Sequence, residues 1–431
     1  MKLRRNKLVP LVLEERPGIA SGASWSGGIR QEIGPVIERL ESIRQDWLQS
    51  TSEVGLGRTC LDIPENLLRE YSLHRTASRL GEIFAWANRF QSQTDRVVFV
   101  GSADSHRIIR TFKQACCDPF WNELTRGERG SKPRVYFVGD SLDNDSLQGH
   151  LQMLSNERPA NRGESFGWGT VVLTGYEQEQ SVIVAEKHLR QHLQRSGNEV
   201  LFYECHARVC EDSPSPCFVP SALLPFSPQG MLPAAILGIN IMELLAGASW
   251  TSKLFASAAS KQNPILQWVA WNHVAESRRV ALWNPSLSAG MHWLVHLERS
   301  LPKGVMSPSG PCAILDPLSD QLSPDELACC NHIWVEQSRF DALPLEPGPV
   351  VEVIWDPTSD RPRAISPDVS SGPSCAEVAK TRYEQTLENQ VQLGGMGLTF
   401  KLPDLGELSL GQWMQWMIIS SILENQLAQD T

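Results

Sequence analysis

Three short apolar runs, each passing through a polar turn into an amphipathic helix, limit the fold of this chain more than any other feature. "RVVFVG" (Arg96–Gly101) leads into "SHRIIRTFKQA", and "RVYFVGD" (Arg134–Asp140) into "SLQGHLQML". "TVVLTG" (Thr170–Gly175) leads into "SVIVAEKHLRQHLQRSG", and a fourth run, "EVLFYE", follows. A strand that is apolar on both alternating faces is buried on both, and helices between such strands act as the crossovers of a parallel sheet. Ligands of such sheets bind at the carboxyl ends of the strands. The candidate turns are therefore Ser102–Ser105, Gly139–Asp143 and Gly175–Ser181.

The second half repeats the theme after a segment rich in Pro and Ser, "EDSPSPCFVPSALLPFSPQG" (Glu211–Gly230). "MLPAAILGINIMELLAGA" reads as a buried helix or helix pair, and "NPILQWVAWNHVAES" as a helix feeding the strand "RRVALWN". "SAGMHWLVHLERSL" reads as another helix, and "HIWVEQ" and "PVVEVIW" as strands. A linker, "DPTSDRPRAISPDVSSGPSC", precedes the last helices, among them "SLGQWMQWMIISSILENQL". The expected architecture is α/β, with two doubly wound parallel-sheet lobes and helical arms at the N- and C-termini. The divisions are a partly helical arm at 1–54, a first lobe at 55–210, a crossover at 211–230, and a second lobe with C-terminal helices at 231–431.

Charge and cysteine usage narrow the function classes. A net charge of −10 and a pI near 5.6 argue against nucleic acid as a partner, which needs a basic face. The basic start "MKLRRNK" is followed by a short apolar run that soon meets Glu14 and Glu15, which makes a poor signal peptide. No window reaches the ~20 apolar residues of a membrane span. A cytoplasmic protein without a membrane partner is expected. Cys205, His206, Cys210 and Cys217 lack the paired CxxC spacing of a zinc site. His188/His192 and His292/His296 lie four residues apart on predicted helices without the Glu of HExxH, so no metal is expected.

The order of motifs resembles the bacterial type of phosphoglucose isomerase, a family with two sugar-isomerase (SIS) domains, over roughly Gly55 to Gln426. "GRTCLDIPEN" resembles its lead-in, "VVFVGSADS" its first phosphate loop, and "YFVGDSLDND" its "FxSNVDP" segment. "FSPQGMLPAAILGINIMELLAGA" (Phe226–Ala248) and "KLPDLGELSLGQWMQWMIISSILENQL" match longer stretches. The resemblance implies SIS-like lobes and no cofactor. It also implies a sugar-phosphate ligand, a homodimer, and interconversion of glucose 6-phosphate and fructose 6-phosphate. That reaction needs a phosphate cradle, acid/base help for ring opening, a carboxylate that shuttles a proton between C1 and C2, and a cation that steadies the enediolate. Fourteen tryptophans offer either core or interface.

Most of those parts are substituted. In the first loop Ser105 matches the phosphate-contacting serine, while two family glycines become Ala103 and Asp104. In the second cradle, "TGYEQEQSV", only Thr174 and Ser181 stand in for the family's hydroxyls, and Glu177 and Glu179 fill the turn. These two glutamates either face a ligand or point to solvent, where they favour the helix macrodipole. The enediolate-steadying arginine falls on Ala222 and the ring-opening histidine on Leu322. The terminal lysine finds no counterpart among the last residues, Gln429, Asp430 and Thr431. Glu298, in "HWLVHLERSLPK", is the counterpart of the proton-shuttling carboxylate, with one extra residue before Lys303.

Three readings follow. The first is a family member with weak or lost isomerase activity, a pseudoenzyme in a binding or regulatory role. The second is an isomerase rebuilt around Asp104, His106, Arg107 and Asp140, with Arg107 or Arg110 holding the phosphate and Arg107 converging on Glu298. The third is a non-catalytic SIS-like sensor of an uncharged or cationic ligand.

Overall fold

The computed structural model describes residues 11–16, 25–49, 56–155, 167–175, 179–196, 201–206, 220–275, 279–301, 313–318, 322–327, 330–337, 373–393 and 397–429. The chain begins with strand β1 (Val12–Arg16) and helices α1 (Trp25–Gln49), α2 (Leu56–His74) and α3 (Arg79–Gln93). Then come β2 (Thr94–Val100), α4 (Ala103–Cys116), β3 (Arg134–Val138), α5 (Asn144–Ser155), β4 (Gly167–Thr174), α6 (Gln180–Ser196) and β5 (Leu201–His206). Helices α7 (Pro228–Ile236), α8 (Ile241–Ser257) and α9 (Pro264–Val274) precede β6 (Arg279–Leu282) and α10 (Ser288–Ser300). Last are β7 (Ala313–Leu315), α11 (Pro324–Leu327), β8 (Cys330–Val335), α12 (Cys375–Gln392), β9 (Gly397–Leu402) and α13 (Glu407–Gln429).

The first sheet is fully parallel in the order β3-β2-β4-β5. Its central strand shows why the sequence reads as an unbroken apolar run. Val97 and Phe99 enter the main core, while Val98 and Val100 enter a second cluster with Val172, Val182 and Leu189. Successive side chains point to opposite faces, and helices cover both.

The second sheet has the order β1-β9-β8-β6-β7. Strands β9, β8, β6 and β7 are parallel. Strand β1 pairs antiparallel with β9. The N-terminal arm is therefore more than helical: Val12–Arg16 pairs along an edge of β9 whose backbone groups would otherwise lack partners. Helix α1 follows it onto the second half of the chain, where Arg44 donates to the carbonyls of Phe255 (2.8 Å) and Ala258 (2.7 Å). Strands β7 and β9 were not anticipated from sequence. The run "PVVEVIW" and the linker after it lie outside the described residues.

Local chemistry sets the helix boundaries. The run read as a helix pair divides at Gly238, whose φ of +83° gives α7 a left-handed C-terminal cap suited to glycine. Pro228 opens α7, and Asn263 caps α9 ahead of Pro264, following the preference for Pro in the first turn. Helix α13 is buried on nearly every side. Among the described residues no helix is long and apolar enough to cross a membrane.

Candidate functional site

Three strand-to-helix turns of the first sheet gather charge at its carboxyl edge. At the end of β2, Ser102 caps α4: its Oγ accepts from the Ser105 backbone N–H (3.3 Å) and lies 3.2 Å from Ser105 Oγ. Ser105, the expected phosphate contact, is buried, and its hydroxyl faces the cap. The adjoining β3 turn passes so close that a Cβ on Gly139 would lie 3.3 Å from the Gly101 carbonyl oxygen. Gly139 has φ +102°, a conformation that suits glycine.

Carboxylates occupy the cations here. Arg107 donates through Nη1 to Asp104 Oδ1 at 2.9 Å, and Arg110 Nη2 reaches Asp140 Oδ2 at 3.5 Å. His106 is fully buried, edge-on to Phe137, with Nδ1 3.4 Å from Asp140 Oδ2. Burial pushes its pKa down, against the pull of Asp140. The His106 contact, with help from Arg110, holds the Asp140 carboxyl below its ordinary value. Glu179, exposed at the mouth of α6, has its pKa raised by desolvation and by Asp104 and Asp140, against the pull of Arg107. Glu177 lies outside the described residues.

The Thr174 hydroxyl is engaged within the fold. Thr174 Oγ1 donates to the Cys205 carbonyl (3.2 Å) and lies 2.6 Å from His206 Nδ1. Its own carbonyl accepts from Gln229. Ser181 is buried. Burial, with Glu82 adding to it, pushes the Cys205 thiol up to about 12. Cys210 and Cys217 lie outside the described residues, among which no group of three or more His, Cys, Asp or Glu could hold a metal ion.

Helix α10 brings the second half of the chain to this edge. Ser300 Oγ lies 3.4 Å from Asp104 Oδ2, and His296 Nδ1 3.7 Å from Asp104 Oδ1. Desolvation and Arg107 lower the pKa of His296, against Asp104. Glu298 is two residues from each, hence about 200° round the helix, on the opposite flank. The face of α10 turned toward Asp104 therefore carries His296 and Ser300. At Ala222 no arginine is replaced in kind: the residue is fully buried and its carbonyl accepts from Trp293 Nε1 at 2.8 Å. Leu322, half-buried before α11, has no proton to exchange. Sequence reasoning missed Ser300 and Gln229, and saw His296 only as half of a histidine pair. The four-residue spacing of His296 and Ser300, which puts them on one helix face, was the available signal.

These sheets and their flanking helices define a two-lobed α/β protein of the SIS-like type. The fold is similar to that of a hypothetical protein from Thermus thermophilus, with a TM-score of 0.68 and 15% identity over 97% of this chain and 95% of that one. It is similar also to a glucose-6-phosphate isomerase from Chlamydia trachomatis, with a TM-score of 0.61 and 12% identity over 93% of this chain and 80% of that one. In sequence the chain is 20% identical over 257 residues to the glucose-6-phosphate isomerase of Pediococcus pentosaceus, covering 56% of this chain and 53% of the relative. It is 23% identical over 218 residues to that of Caldanaerobacter subterraneus, covering 48% and 47%. The chain thus spans about half the length of the curated relatives it matches. No family model matches it.

Proposed function

We propose that this chain is a distant phosphosugar-isomerase relative that keeps the ligand-binding edge of the first sheet but has little or no glucose-6-phosphate isomerase activity. The observation that carries this reading is the pairing of Arg107 with Asp104 and of Arg110 with Asp140, beside the third carboxylate, Glu179. A unit negative charge about 4 Å from a carboxylate is repelled by roughly 4 kcal/mol at an effective dielectric of 20. A phosphate dianion meets more than that, and the hydroxyls of Ser105 and Thr174 are engaged elsewhere. The substitutions at Ala222 and Leu322 remove a cation and a proton carrier. Losing one such donor costs about 10²–10³ in rate, and losing acid/base help about 10²–10⁴.

Within this reading the lobes are 55–210 and 231–431, the protein acts in the cytoplasm, and a homodimer is its assembly. The test is isothermal titration with glucose 6-phosphate and fructose 6-phosphate, with a coupled isomerase assay on the same sample. The expected result is no turnover. Turnover at an ordinary enzymatic rate would overturn the reading and return Arg107 and Glu298 to candidacy. A second reading, a sensor of an uncharged or cationic ligand, is favoured by Glu179 alone and predicts binding of such a ligand without turnover.

A further inference from the structure

Asp104 stands where two halves of the chain meet. Its carboxylate accepts from Arg107 Nη1 at 2.9 Å on its own helix. From α10 it is approached by Ser300 Oγ at 3.4 Å, a hydroxyl that also reaches the His296 carbonyl at 2.8 Å, and by His296 Nδ1 at 3.7 Å. A guanidinium, an imidazole and a hydroxyl face two carboxylate oxygens, and the hydroxyl, whose single proton goes to the His296 carbonyl at the shorter distance, can rotate toward an incoming oxyanion. The carboxylate also lies in the first turn of α4, where the helix dipole favours negative charge.

The two helices that carry these groups are held together without Asp104. At the far end of the same helix pair, Gln114 Nε2 donates to the Pro285 carbonyl (2.9 Å), and its Oε1 accepts from the Ala289 backbone N–H (2.8 Å). Between the two ends Gly290 lets the helices approach: a Cβ there would lie 3.2 Å from the Thr111 side chain. Helices already docked bring the three side chains to one place before any ligand arrives, which lowers the ordering cost of binding. The cluster is also partly open to solvent, the Asp104 side chain being 26% exposed and that of Arg107 25%.

We infer that Asp104 is the resident anion of a latent oxyanion site made by Arg107, His296 and Ser300, whose external ligand would be a phosphate group or another oxyanion of that size. Asp104 keeps the site closed by filling it. The inference rests on the proposed function only in taking phosphate esters as the ligand class. Glu179 is the remaining competitor for Arg107, since its carboxylate already lies within that guanidinium's field.

The experiment titrates inorganic phosphate into the unmodified chain, Glu179→Gln, and Asp104→Ala/Glu179→Gln. Saturable binding is expected only in the double variant, at least about tenfold tighter than in the other two. Asp104→Asn/Glu179→Gln, which fills the site with a neutral group, should gain much less. A folded double alanine variant that binds phosphate no better than Glu179→Gln would overturn the assignment. If the alanine variant folds poorly, thermal melts decide the matter. Phosphate should then raise its midpoint toward that of Glu179→Gln, more than chloride at equal ionic strength, and no such recovery overturns the assignment. A null result with phosphate removes the resident-anion assignment alone, whereas turnover by the unmodified chain removes the proposed function alone.

Discussion

Helices α8 and α13 cross with their backbones nearly touching, and glycine is what permits it. A Cβ on Gly411 would sit 2.0 Å from the Leu244 carbonyl oxygen, and one on Gly247 would sit 2.1 Å from the Leu408 carbonyl oxygen. Real Cβ atoms essentially never approach within 3.0 Å, so Gly411→Ala must push the helices apart by roughly 1 Å in a close-packed interior. A gap of that size forfeits roughly a quarter to a half of the dispersion attraction across it. The side chains that lose it include Leu244, Leu245, Leu410 and Met414, all fully buried. Neither obstruction is a side chain that can turn away. The cost therefore falls at the upper end of the overpacking range, about 3 kcal/mol, against a typical total stability of roughly 5–15 kcal/mol. Urea unfolding followed by tryptophan fluorescence reads the change directly, because Trp413 and Trp416 lie on α13. Gly149→Ala on the exposed face of α5, with nothing within 4 Å, is the control and should gain up to about 1 kcal/mol. Combining Gly247→Ala with Gly411→Ala should cost less than the sum, since helices already parted accommodate the second methyl. An unchanged midpoint for Gly411→Ala would refute the close crossing.

Three further outcomes are expected. Trp293→Phe removes the indole donor to the Ala222 carbonyl and leaves a buried acceptor unpaired, which should cost about 1–3 kcal/mol in urea unfolding; a cost below the error of the fit would show the bond is replaced. Asp95→Asn takes away the carboxylate charge facing Arg129 (2.8 Å), Arg134 (2.6 Å) and Arg126 (3.6 Å) at the amino end of the first sheet. Their carbonyl acceptors remain, and urea unfolding should show a loss of about 1–3 kcal/mol. The third concerns pH. His106 has a folded-state pKa below its usual 6.5, so between 6.5 and that lower value the unfolded chain takes up a proton that the folded one refuses. Its part in stability is full above pH 6.5 and is lost as pH falls, by at most about 1.4 kcal/mol per unit. His106→Phe should make the slope of unfolding free energy between pH 7 and 5 shallower, and equal slopes would show that His106 is not refused its proton.

The first sheet was legible because burial on both faces writes an unbroken apolar run into β2, β3 and β4, with amphipathic helices marking the crossovers. Strand β7 has three residues, too few for any periodicity, and β9 is set by pairing with β8 on one side and β1 on the other. Such pairings are tertiary facts that no local window carries. The site divides in the same way. Asp104, Arg107 and Asp140 could be named because strand ends mark them. Ser300 could not, because its link to Asp104 spans 196 positions and depends on how α10 lies against α4.

That packing also connects the substituted turn at position 104 with the contact between α4 and α10. On the resemblance, glycine would stand at position 104, and a bare loop there would let a phosphate approach the backbone. An aspartate at the same position closes the approach and supplies the carboxylate that meets Arg107, His296 and Ser300. Gln114 fixes the other end of the same antiparallel helix pair, so the two halves of the chain are joined at both ends of one seam. A group arriving at this edge therefore has to compete with a resident anion held by the chain itself, whereas a neutral ligand meets Glu179 and the rim without displacing it. Phosphate titration of the Asp104→Ala/Glu179→Gln variant, set against its Asp104→Asn counterpart, separates these cases, because only occupancy by the side chain makes the alanine differ from the asparagine.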